Sequence, residues 1–165
     1  MPATYEPIAT TTLGASAASY TFSSISGTYT DLILISTPKV TAGSPDVYMQ
    51  FNGDTATNYS KTGLYGNGTA ASSTRGSSQN QINLTANATP TTTLGDVQYI
   101  THIFNYSNAT TNKTVLHRGD RASAGTEAIV GLWRSTAAIT SVLIKPSSGS
   151  WDIGSTFTLY GIKAA

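Results

Sequence analysis

Apolar and polar residues alternate in short runs along this chain, and turn-forming dipeptides interrupt the runs at close intervals. Val47–Phe51 reads Val-Tyr-Met-Gln-Phe, so in an extended backbone Val47, Met49 and Phe51 share one face and Tyr48 and Gln50 the other. Residues 19–24 alternate in the same way, and residues 31–36 contain the unbroken run Leu-Ile-Leu-Ile, which suits a strand covered on both faces. Residues 97–106, 114–118, 128–133, 139–145 and 155–162 predict further strands, with His102 and Phe104 on one side of theirs. No window of a dozen residues keeps an apolar stripe at helical spacing, because Gly and β-branched residues break every candidate. Asn-Gly, Gly-Asp, Ser-Gly and Pro-Lys dipeptides separate the runs. Short strands divided by such turns predict one all-β domain, an antiparallel β-sandwich of jelly-roll type. It is expected over residues 14–165, with residues 1–13 as an extended N-terminal arm carrying Pro2 and Pro7. Residues 63–80 and 91–95 read as long loops, rich in Gly, Ser and Thr.

Composition narrows the chemistry. The chain has 165 residues, the size of one domain, and charged residues are only 10 % of them, far below the usual quarter. Thr, Ser and Asn supply the polarity instead, while nine Tyr, four Phe and two Trp argue against disorder. A net charge of +1 gives no electrostatic reason to expect nucleic acid or an anionic membrane as partner. With no Cys there is no disulfide framework, no thiolate-bound metal and no thiol nucleophile. No apolar run is long enough to span a bilayer, and the opening residues lack the basic start and apolar stretch of a signal peptide.

Catalysis finds little support. The only imidazole bases are His102 and His117, one mid-strand and one beside a turn, and no G-x-S-x-G elbow is present. Glu6 and Glu127 are the only glutamates, and the aspartates stand beside turns or strand starts, where their carboxylates accept backbone N–H bonds. No catalytic or cofactor-binding residue is expected. Asn52-Gly53-Asp54 with Thr55 and Asn58 concentrates oxygen ligands as a calcium loop would, but Asn-Gly is also a strong turn signal, and no metal site is assigned. Arg118-Gly119-Asp120 is expected on a hairpin tip, as a turn rather than a recognition motif.

The aromatic residues carry the binding expectations. Tyr48, Tyr59, Tyr65, Tyr106, Trp133 and Trp151 are candidate surface aromatics, for stacking on carbohydrate or for anchoring an interface. Tyr59, Tyr65, Trp133 and Trp151 are singled out among them. In the arm, Tyr5, Pro7 and Ile8 are poor choices for a freely waving tail and are expected to grip a neighbouring chain.

Three stretches in order resemble a group of bacteriophage virion proteins from phages of marine and cyanobacterial hosts. They are Tyr5-Glu6-Pro7-Ile8 with the Tyr20-Thr21-Phe22 and Tyr29-Thr30-Asp31 segments behind it, Phe51-Asn52-Gly53-Asp54 with Asn58-Tyr59-Ser60, and the Phe157-Thr158-Leu159-Tyr160-Gly161 ending. The resemblance implies a non-enzymatic structural protein of the virion, a capsid decoration or cement protein on the head, with a tail fibre or receptor-binding module as the alternative. It implies synthesis in the host cytoplasm and a final place on the particle surface, against the major capsid protein or other virion chains. No cofactor is expected. A homo-oligomer, most simply a trimer, fits the symmetry of such particles.

Overall fold

The computed structural model describes residues 4–163, and among them there is no helix. Twelve strands run β1 (Tyr5–Thr12), β2 (Tyr20–Phe22), β3 (Asp31–Thr37), β4 (Val47–Phe51), β5 (Tyr59–Gly66) and β6 (Ala71–Gln79), followed by β7 (Ile82–Asn83), β8 (Gln98–Phe104), β9 (Lys113–Arg121), β10 (Gly125–Trp133), β11 (Val142–Pro146) and β12 (Thr156–Ile162). They form an eight-stranded sheet in the order β1-β12-β3-β8-β9-β10-β5-β6 and a four-stranded sheet in the order β2-β11-β4-β7. Every pairing is antiparallel.

From β2 onward the chain passes from one sheet to the other again and again, which is the signature of a jelly roll. The small sheet places the late strand β11 between the early strands β2 and β4, with β7 beside β4. The large sheet answers with β3, then β8-β9-β10, then β5 and β6. One strand position of an eight-stranded roll is thus filled by the meander β8-β9-β10, and β12 and β1 extend the sheet beyond β3.

Alternation produces the core. Val47, Met49 and Phe51 of β4 point inward as the sequence predicts, and Gln50 is also buried, its side-chain amide donating to the Asn80 carbonyl at 2.9 Å. Opposite them lie Leu32 and Leu34 of β3, Ile103 of β8, Val115 of β9, and Phe157 and Leu159 of β12. Side chains of this size contribute about 1.5–3 kcal/mol each when fully buried. Gly131 is required where β7 crosses β10, since a Cβ there would come within 2.6 Å of Val115 and 2.8 Å of Ile82.

The N-terminal segment is extended but does not project. Residues 5–12 pair with β12 as the edge of the large sheet, Tyr5 opposite Ile162 and Thr12 opposite Thr156, with a bulge between Pro7 and Ala9. An edge and a bulge are where a strand tolerates Pro, which has no N–H to donate. Ile8 packs against the core from the side, while Tyr5 and Pro7 are exposed. Residues 1–3 of the expected arm lie outside the described residues. The expected loop over residues 63–80 is instead most of the β5–β6 hairpin. Its signal was hidden because β6, Ala-Ser-Ser-Thr-Arg-Gly-Ser-Ser-Gln, buries almost nothing.

Candidate functional site

The titratable groups are placed first by the strands that carry them. His117 lies in the middle of β9 rather than beside a turn, and its inward position seals it completely. Nδ1 is 2.8 Å from the Thr101 hydroxyl, Nε2 has no partner, and burial pushes the imidazole down to about 3. It is therefore neutral at physiological pH. His102, on the outward face of β8, bonds the Asp31 carboxylate through Nε2 at 3.0 Å and stacks on Phe104 at 4.0 Å between ring centres.

Glu127 is the buried carboxylate of β10. Its Oε2 accepts backbone N–H bonds from Ala86 and Asn87 at 2.7 Å each and from Ala88 at 3.2 Å. Three consecutive amides converging on one oxygen clamp the β7–β8 connection to the large sheet, a charge-assisted arrangement stronger than neutral hydrogen bonds. Tyr99 donates its hydroxyl to the Ala88 carbonyl beside it, and burial, reinforced by the Glu127 charge, holds this phenol well above its ordinary range.

Asp54 serves a similar purpose at the Asn-Gly turn. Asn52 and Gly53 both have positive φ, 53° and 68°, and Asp54 N–H closes the turn on the Phe51 carbonyl at 2.9 Å. The Asp54 carboxylate then receives the Asn58 amide at 2.9 Å, the Trp133 indole N–H at 2.7 Å and the Ala56 N–H at 2.8 Å. These bonds, with that of Asn58 foremost, hold its carboxyl below the usual range. The oxygen-rich loop thus anchors Trp133.

The aromatic expectations divide sharply. Tyr59, Trp133 and Trp151 are 0 %, 2 % and 1 % exposed, so they have no surface to offer a ligand and are corrected to core residues. Tyr59 stacks on Trp133, its hydroxyl bonds the Phe51 and Asp54 backbone, and burial pushes that hydroxyl up to about 12. Trp151 bridges Ala17 and Val40 and packs on Phe157. Tyr106 is buried as well; Tyr65 and Tyr48 keep partial exposure. Strand parity held the signal for Trp133, because Ile129, Gly131 and Trp133 share one face of β10. Nothing in sequence marked Trp151, which lies outside the named strands. The Arg118-Gly119-Asp120 triplet is not a hairpin tip but part of β9, with Gly119 inward and both charged side chains outward.

Two of the open surfaces bear on binding. One is a polar hollow of about 220 Å³ beside β7, lined by Asp46, Lys61, Tyr65, Thr74, Asn83 and Thr85. Asp46 accepts from the Asn83 amide at 3.0 Å and the Thr85 hydroxyl at 2.9 Å, and the Lys61 ammonium donates to the Thr85 carbonyl at 3.1 Å. Burial lowers the Lys61 affinity for its proton, against the pull of Asp46 and Glu127. The other surface is the outward face of the large sheet, where Ile35, Leu64 and Val130 are exposed.

No protein-family model matches the sequence, and neither does any curated protein. Among solved structures, the exo-inulinase from Aspergillus awamori is similar at 13 % identity with a TM-score of 0.45. That alignment covers 96 % of this chain and 29 % of the exo-inulinase chain, so the chain spans less than a third of that enzyme's length.

Proposed function

We propose that this chain is a non-enzymatic structural protein of a bacteriophage virion, a decoration or cement protein that binds the outer surface of the head and stabilises it. One observation carries the reading: Glu127 and Asp54 are engaged in holding backbone and aromatic groups in place, and the one fully buried imidazole is sealed from any ligand. Glu127 gathers three backbone amides, Asp54 holds the Trp133 indole, and His117 is sealed and neutral. Such a molecule acts through shape and surface, and a charge-poor β-sandwich without Cys keeps its shape in an oxidising exterior after synthesis in a reducing cytoplasm. Its partners in this reading are the major capsid protein, other virion chains and further copies of itself, a trimer matching the local threefolds of a capsid.

Immunogold labelling of purified particles with an antibody against this chain tests the proposal. Gold over the heads supports it, and particles free of the protein overturn it. Gold confined to the tail favours the second reading, a fibre or receptor-binding module recognising host-surface carbohydrate. The polar hollow favours that reading, since it sets a half-exposed tyrosine beside a carboxylate, an amide and an ammonium, the groups that bond sugar hydroxyls. Titration with glucose, galactose and N-acetylglucosamine, followed by amide chemical shifts, checks it. Shifts at Asn83 and Thr85 that vanish in Tyr65→Ala support sugar binding there, and no shift with any of the three removes it.

A further inference from the structure

Asparagine is followed by glycine twice in this chain, at Asn52-Gly53 and Asn67-Gly68. Glycine has no Cβ to shield its amide nitrogen or restrict its backbone, so that nitrogen can reach the carbonyl carbon of the preceding Asn side chain. Having given its proton to a base in solvent, the nitrogen attacks this carbon and closes a five-membered succinimide. The side-chain nitrogen takes up a proton from solvent and leaves as ammonia, and water then opens the ring. Cleavage at the side-chain carbonyl leaves Asp, whereas cleavage at the main-chain carbonyl leaves isoaspartate, with the backbone routed through Cγ. The fold governs the reaction through the polarisation of the carbonyl, the freedom of the amide nitrogen to leave, and the direction in which the side chain is held.

Both pairs sit in turns, and both glycines have open space where a Cβ would stand. The side chains are held differently. Asn52 reaches across to the β10–β11 connection, where its amide nitrogen donates to the Ala138 carbonyl at 2.8 Å. Its oxygen accepts from the Thr140 and Ser141 N–H groups there, at 2.8 and 3.1 Å. These bonds tie the side chain to another part of the molecule and hold the nitrogen that would have to leave. Residues 67–70 join β5 to β6 and are exposed. The Asn67 oxygen accepts from the N–H groups of Thr69 and Ala70, at 3.0 and 2.9 Å, two and three positions further along the chain. A side chain bonded in that way is folded forward over the Asn67–Gly68 peptide. Two donors on the oxygen also stabilise the negative charge that grows there during attack, as an oxyanion hole does. The Asn67 amide nitrogen has no partner among the described residues and is free to leave.

We propose that Asn67 is a site of spontaneous deamidation in the folded protein and that the fold protects Asn52. Either product sets a carboxylate at the hairpin tip and cancels the formal net charge of +1. Isoaspartate also adds a methylene to the turn that sets Gly66 opposite Ala71. Since β6 is hydrogen-bonded only to β5, that end of the strand loosens first. The rim of the large sheet thus carries a chemical record of the molecule's age.

Trypsin separates the two sites for a direct test. Asn67 is the only Asn between Lys61 and Arg75, whereas Asn52 lies with Asn58 between Lys39 and Lys61. The unmodified full chain is held in warm neutral buffer, one portion folded and one unfolded in guanidinium chloride, and samples taken over time are digested and read by fragment-ion mass spectrometry. In the folded portion Asn67 is expected to convert to acid about tenfold faster than Asn52, with isoaspartate among the products. In the unfolded portion the two rates are expected to draw together, because the dipeptide is the same and the turns are gone. Equal rates in the folded chain, or faster conversion at Asn52, overturn the proposal. So does a folded Asn67 still intact when the unfolded chain has converted, and a difference that survives unfolding overturns the role given to the fold.

Discussion

Two parts of the large sheet share one hydrogen-bonded ladder and differ in what lies against them. β12, β3, β8, β9 and β10 face the small sheet, and their inward positions are mostly Leu, Ile, Val and aromatic residues, with Lys113, His117 and Glu127 buried among them. At the far rim, β6 inclines only Thr74 and Gly76 toward cover and leaves its other residues exposed. The backbone geometry is the same in both. What differs is the source of stability: burial in the first, and hydrogen bonds to one neighbour, β5, in the second. A strand can be added to a sheet without being rewarded by a core, and such a strand carries no hydrophobic pattern.

The largest effect that sharpens this contrast is expected at Phe157, 1 % exposed on β12. Phe157→Ala should cost about 3–5 kcal/mol in chemical denaturation, the range for emptying a buried aromatic site. A loss near that of a surface substitution would mean that the covered part is not packed as described.

The next is a pH effect centred on His117. Its folded value of about 3 lies below the ordinary 6.5, so the unfolded chain binds a proton that the folded chain refuses. The His117 contribution is fully present above about pH 6.5 and is lost as pH falls toward 3, on the order of 5 kcal/mol if the fold survives to that pH. His117→Gln should flatten that limb of the stability curve, read by denaturation across the pH range.

A smaller effect is expected at the clamp between the sheet and the β7–β8 connection. Glu127→Gln keeps an acceptor but loses the charge, and should cost about 1–2 kcal/mol. Amide hydrogen exchange at Ala86, Asn87 and Ala88 should quicken more than at Leu34, which separates a local clamp from general destabilisation.

The smallest is at the rim, where Ser73→Ala on β6 should change stability by less than about 0.5 kcal/mol. A loss comparable with that of Phe157→Ala would erase the distinction between the two parts.

The same contrast explains what could be read in advance. β4 was legible to its bounds because Val47, Met49 and Phe51 alternate with polar residues and are buried for that reason. β8, β10 and β12 were visible as further apolar runs between turns, and β3 from its unbroken Leu-Ile-Leu-Ile run, although Ile35 on its outer face is exposed. β1 carried threonines and a Pro, which read as an arm until β12 was there to pair with it. β7 is two residues long, too short for any period to register. In β5 the signal was broken by Gly63, yet a Cβ there would stand 3.0 Å from the Ile129 side chain, so the residue that hid the strand is one its packing favours. Sequence also offered aromatics as surface candidates where the fold needed them inside. Only Trp133 could have been corrected in advance, by its shared parity with Ile129.

The interleaving of early and late strands also bears on how the chain is made. β11 lies between β2 and β4, and β12 lies between β1 and β3, so two strands that leave the ribosome after the other ten fill the middle of places prepared by the first. Until they emerge, β1 through β4 have backbone groups waiting for absent neighbours, and neither sheet can close. Folding of these sheets is then expected to wait until β12 has emerged, and to be slow, as for other all-β topologies dominated by distant pairings. A nascent chain stalled before residue 142 should remain protease-sensitive, whereas one tethered beyond residue 163 by a spacer longer than the exit tunnel should resist. A fragment lacking the last two strands has no finished surface to present, and so would be left out of whatever assembly the complete molecule joins.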